Sequence, residues 1–408
     1  IVIPGTVKEI PFRMFEQSKT NTSSLKEVVL GEGVESIGKY AFYNNDLLNN
    51  LKIPESVNTV GDWAFGDCDG LTEVSIGGET LGQYVFQSCD ALSSVTISGN
   101  TVNIGAYTFE GCISLESIEI PGSVSKIESG LLQDCIGLKT VILGEGVTEL
   151  NYNNNSNYLG NPFYGCSALE KIVIPGTVKE IPFRMFEQSE TSTSSLKEVI
   201  LGEGLKVIGD EAFRNNDLLS NLVIPESVTT IGSRAFYNND SLADMTIPEK
   251  TDSVGEYAFY DCDSLISVKI KGKSIGNNVF QSCDLLKNVS IHQGVENIGS
   301  FAFADCIALE SIEIPGTVQK IEAGLLDGCS SLKEVMLREG VAEIGIDNRY
   351  NYNGNPFHGC SALRRVEIPG TLSEIPAYLL NQKYTGSNFL EEIVLGDGIQ
   401  HIGNYAFA

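Results

Sequence analysis

Basic residues are scarce in this chain. Lys and Arg total 27 against 53 Asp and Glu, a formal charge of −26. A protein that neutralises phosphates needs the opposite balance, which excludes nucleic-acid binding. The same deficit argues against docking on anionic lipid. Long apolar runs are also missing: no stretch of about 18 apolar residues offers a membrane span. Histidine occurs three times, as His292, His358 and His401, with no Ser or Cys at a suggestive spacing. The H-E-x-x-H and G-x-x-x-x-G-K-[ST] patterns do not occur, and the G-x-S-x-G match at Gly272-Lys273-Ser274-Ile275-Gly276 falls within the repeat. These absences point away from an enzyme and supply no cofactor or metal site. What is present, 42% apolar and 20% charged residues, suits a folded chain.

A 23-residue pattern, L-x-x-V-x-I-P-x-x-V-x-x-I-G-x-x-A-F-x-x-C, recurs from end to end, as at Leu48, Leu71, Leu242 and Leu265. Within L-x-x-V-x-I the apolar residues alternate, the period of a short strand with one face turned inward. The Pro or Gly that follows ends the strand. The A-F-x-x-C stretch has the three-residue spacing of a single helical or 3₁₀ turn. No single unit can bury its apolar side alone, so the units must stack into one solenoid of about 17 repeats over residues 1–408.

About seventeen copies of this pattern give the chain its resemblance to the BspA-like (Treponema pallidum-type) class of leucine-rich repeats, over essentially its whole length. The resemblance implies an α/β repeat solenoid: a right-handed superhelix with a parallel β-sheet on the concave face and short helical or 3₁₀ turns and loops on the convex side. It also implies a cell-surface, extracellular protein of a bacterium, or sometimes a protist, that binds host or neighbouring-cell molecules. No catalytic residue belongs to the pattern.

A longer period lies above the short one. Residues 1–33 and 172–204 differ only at Lys19/Glu190, Asn21/Ser192 and Val29/Ile200, an offset of 171 that becomes 194 beyond Leu242. The chain therefore reads as sub-blocks 1–168, 169–362 and 363–408. Both ends fall inside a repeat, so an export signal and a wall anchor are expected outside this segment.

Phe42, Phe65, Phe86 and their equivalents form an expected spine of core rings. The ten cysteines all share one repeat position, at spacings of the repeat length and not of zinc ligands. Asn45, Asn216, Asn239 or Ser189 stands there in other units, which favours small buried hydrogen-bonding groups facing the backbone of the next turn, with disulfides or a metal as weaker readings. Trp63 is expected to be partly buried. Asp67-Cys68-Asp69-Gly70 lacks the spacing of a calcium loop and reads as a turn. Asn21, Asn154, Asn239 and Asn288 begin N-x-[ST] sequons, relevant only in a glycosylating host.

Two departures from the repeat mark candidate ligand-binding residues. Insertions carry Tyr152 and Tyr158 in one block and Arg349, Tyr350 and Tyr352 in the next, where rings and amides suit protein or sugar contacts. The other reading is a polar turn that tolerates length. The second departure is the outward residue of the first strand, aliphatic at Ile142, Val173, Ile200 and Val223. Four adjacent β-branched residues would form an exposed strip for a partner, or would simply reflect β propensity. Both features are expected to recur with the large block and to act together by avidity. The leading expectation is a non-enzymatic adhesion protein binding another protein through the concave sheet and inserted loops. The alternative is a glycan-binding or surface-layer scaffold protein.

Overall fold

The computed structural model describes residues 1–18, 24–151, 160–188, 195–346, 354–387 and 389–408. These form two compact units, one of Ile1–Phe186 with Ser194–Leu205 and the other of Glu187–Thr193 with Lys206–Ala408. Each unit is built from parallel-strand coils, about 16 turns in all.

Every coil has three sides. The L-x-x-V-x-I segment makes the first, usually a four-residue strand in register with its equivalent one coil away. In the first unit Leu51 faces Val74, which faces Val95. In the second, Met245 faces Val268, which faces Val289. Alternate residues point inward, so Leu51, Ile53, Val74 and Ile76 are buried while Lys52 is exposed. The second side is a ribbon of two-residue strands, such as Ser36–Ile37, Thr59–Val60 and Thr80–Leu81, again parallel.

The third side departs from the expected helical turns. The A-F-x-x-C segments form hydrogen-bonded turns, and the only helix among the described residues is Gln382–Thr385. The reason is backbone handedness. Tyr40, Trp63, Tyr84 and Tyr107, each two residues before the core Phe, hold φ between 56° and 60°. A left-handed residue breaks the run of right-handed dihedrals that a helix needs. The N–H groups released from helix pairing reach along the stack: Phe42 N donates to the Ala64 carbonyl at 2.8 Å, and Phe65 N to the Val85 carbonyl at 3.0 Å. The turns thus form a wall with its own ladder.

The core lies between these sides. Phe42, Phe65, Phe86 and Phe109 are fully buried and stack at centroid distances of 5.0, 5.6 and 5.7 Å. Phe213, Phe236, Phe259, Phe280 and Phe303 repeat this in the second unit. Near-parallel rings at this spacing are offset stacks, each worth roughly 0.5–1.5 kcal/mol beyond the area buried. Trp63 is half-buried, stacked 4.5 Å from Tyr84 on the outside of the turn wall.

The ribbons are not continuous within a unit. In the first, the strand Ser94–Ile97 is not hydrogen-bonded to Ser117–Ile120, and Asn103–Ile104 is not bonded to Lys126–Ile127. The second unit breaks at the equivalent coil, between Asn288–Ile291 and Ser311–Ile314 and between Asn297–Ile298 and Lys320–Ile321.

Candidate functional site

The outward positions of the first strands set the geometry of the candidate surface. In the first unit Ile142 lies opposite Val173, and Val173 opposite Ile200. Ile142 is 36% and Ile200 41% exposed, with Val173 half-buried between them. Three strands at ~4.8 Å spacing make a strip roughly 10 Å across. Glu119, opposite Ile142 on the other side, ends it. Lys171 and Glu198, on the same two strands, pair at 2.7 Å beside the strip. A second aliphatic pair, Val2 and Val29, is also in register and exposed in this unit. Val223 is 75% exposed and belongs to the second unit, so the expected patch of four divides into three residues and one.

The expected recurrence fails at this position. The residues 194 further along are Met336, Glu367 and Val394. Arg338 pairs with Glu313 at 2.7 Å and Glu367 at 3.4 Å, while Arg365 meets Glu334 at 2.5 Å and Glu392 at 2.8 Å. The equivalent surface of the second unit is thus a charge network. Tyr152, Tyr158, Arg349, Tyr350 and Tyr352 lie outside the described residues.

Every cysteine is buried and unpaired. Each thiol donates to the carbonyl of the core residue one coil earlier, from Cys68 to Phe42 at 3.3 Å through Cys135 to Phe109 at 3.0 Å, and from Cys262 to Phe236 at 3.3 Å in the second unit. The partner is the preceding turn, not the next one. Asn239 Nδ2 makes the same bond to the Phe213 carbonyl at 2.9 Å, which explains why Asn and Cys exchange. Burial pushes the Cys68, Cys135, Cys283 and Cys329 thiols up to about 12. A thiol so far from its thiolate is neither nucleophile nor metal ligand, and no group of metal-ligating side chains occurs among the described residues. The buried amide of Asn239 also removes its sequon from glycan chemistry, whereas Asn288 is exposed.

Asp67 sits in a turn, as expected, at φ 54°, and accepts a 2.6 Å bond from the Tyr43 hydroxyl. Burial, then this bond, raises the Tyr43 phenol. His358 Nδ1 lies 2.6 Å from Asp327 Oδ1, and burial lifts the Asp327 carboxyl despite that contact. Asp240 in the second unit rises to about 6, chiefly by burial, with Asp263, Asp217 and Asp261 adding repulsion. Among the described residues these contacts are hydrogen bonds within the stack.

The BspA type leucine rich repeat region, a family of six repeat copies, matches the chain over residues 1–80, 79–192, 157–273, 269–353 and 350–408. The chain belongs to this family of leucine-rich repeat proteins. Among solved structures it is similar to a leucine-rich repeat protein from Bacteroides ovatus, at 25% identity over 95% of this chain and 91% of that one, with a TM-score of 0.61. A leucine rich cell surface protein from Faecalibacterium prausnitzii shares 22% identity over 90% of each chain, with a TM-score of 0.32. The pneumococcal vaccine antigen PcpA shares 15% identity over 97% and 88%, with a TM-score of 0.38. No curated protein matches the chain. The fold is one commonly used for protein–protein recognition, and no catalytic family is indicated. No helix among the described residues is long and apolar enough to cross a membrane.

Proposed function

We propose that this chain is a non-enzymatic recognition protein of a microbial cell surface, and that it binds another protein through the Ile142–Val173–Ile200 strip. The observation that carries the reading is the register of these residues across three adjacent strands. On most other coils the outward residue of this strand is polar, as at Lys52, Glu119 and Lys269. A contiguous aliphatic strip on an otherwise acidic surface favours association with an apolar patch of complementary shape. Membership of the BspA-type family supports the surface location.

The test is binding of the full chain to immobilised extracellular-matrix and cell-surface glycoproteins. Val173→Asp with Ile200→Asp places two carboxylates in the strip and is expected to weaken binding at least tenfold while leaving the melting temperature nearly unchanged. Binding that survives both substitutions would move the site elsewhere.

A further inference from the structure

The ribbon breaks have a steric cause. After most of the two-residue strands the repeat places a Gly, close against the backbone of the preceding coil. A Cβ built on Gly61 would lie 2.5 Å from the Lys39 N, and one on Gly105 2.4 Å from the Gly82 carbonyl oxygen. At the equivalent position stand Glu128 in the first unit and Glu322 in the second, and the ribbon stops immediately before each. On the other ribbon, the strands Ser117–Ile120 and Ser311–Ile314 run into Pro121 and Pro315, which lack an N–H; Pro175 and Pro369 stand at the same position in ladders that continue, so this ribbon's break accompanies that of the second ribbon and is not set by the proline. Both ladders are interrupted between the same two coils.

Three further observations describe an opening on one side. Val95 and Ile97, and their equivalents Val289 and Ile291, are half-exposed where the same positions of most other coils are buried, Leu201, Ile393 and Leu395 excepted. A polar crevice on the second ribbon is lined by Asn103, Lys126 and Glu128 in the first unit and by Asn297, Lys320 and Glu322 in the second. The ring stack also stops, as Leu132 and Leu326 follow Phe109 and Phe303. The turn wall, in contrast, continues without a gap. Phe109 N donates to the Leu131 carbonyl at 3.0 Å, Phe303 N to the Leu325 carbonyl at 3.0 Å, and the thiols of Cys135 and Cys329 still reach Phe109 and Phe303.

We infer that each unit contains a hinged joint, between residues 92–114 and 115–137 in the first and between 286–308 and 309–331 in the second. Each is wedged open by one glutamate Cβ and swings about the turn wall. The sheet side opens and closes while the wall holds. Coils that lack ladder bonds on two of three sides open at lower cost than their neighbours.

Hydrogen exchange of the full chain tests this. Amides of residues 117–128 and 311–322 are expected to exchange at least tenfold faster than those of the flanking strands 73–81, 140–150 and 267–275. Glu128→Gly with Glu322→Gly removes both wedges and is expected to slow the joint toward the flanking rates. Glu128→Ala with Glu322→Ala keeps the Cβ and is expected to leave it fast. Equal rates in the native chain would overturn the joint. Slowing by Ala as much as by Gly would overturn the steric wedge and assign the opening to charge.

Discussion

A single carbonyl explains the cysteine position. The core residue of each coil leaves its C=O pointing along the stack, and an unpaired buried carbonyl costs roughly 1–3 kcal/mol. A thiol or a carboxamide supplies the donor, as Cys262 does for Phe236 and Asn239 for Phe213. Two outcomes follow for the thiols. The native chain is expected to give no reaction with a disulfide reagent at pH 8, and ten equivalents once unfolded in denaturant. Cys262→Asn is expected to cost under about 1 kcal/mol by urea unfolding, and Cys262→Leu, which overfills the site and strands the carbonyl, about 2–4 kcal/mol. The shared position and its Cys–Asn exchange were legible in the sequence. The direction of the bond was not, because spacing alone does not say which neighbour lies within reach.

Elements follow the repeat closely on two sides of the coil and depart on the third. The alternation in L-x-x-V-x-I specifies a strand, and strands such as Glu73–Ile76 form as read. The spacing in A-F-x-x-C suits a helical turn equally well, and nothing in Tyr40, Trp63 or Tyr84 announces a positive φ. Those angles arise from bonds to the next coil, a tertiary effect that local pattern does not encode. The ribbon breaks were legible in principle. They fall where the usual Gly is Glu128, Pro182, Glu322 or Pro376, although Asn151 at the same position keeps its bond to the Ile127 carbonyl. Gly61→Ala puts a Cβ against backbone and is expected to cost about 1–3 kcal/mol in urea unfolding. It should also accelerate exchange of the Thr59–Val60 amides. The register of Ile142, Val173 and Ile200 follows from the repeat, and the absence of such a strip in the second block follows from residues already visible, Glu367 above all.

Across the whole molecule the charge of −26 sets the response to pH. In the second unit Asp217, Asp240, Asp261 and Asp284 all have carboxyls raised chiefly by burial. Asp240 titrates at about 6 folded against an ordinary 3.8. A carboxyl raised on folding contributes stability that is complete below its unfolded pKa, here about 3.8, and lost as pH rises through about 6. The melting temperature is therefore expected to fall as pH rises from about 3.8 through about 6, and Asp240→Asn to reduce that fall. An unchanged pH profile in the variant would remove Asp240 from the account.

The exchange of cysteine for asparagine has one more consequence. Since either group satisfies the same acceptor, descendants of this protein can replace sulfur with nitrogen one coil at a time, without a change to the neighbouring coils. The sulfur content of the stack can thus drift in small independent steps, each leaving a folded intermediate.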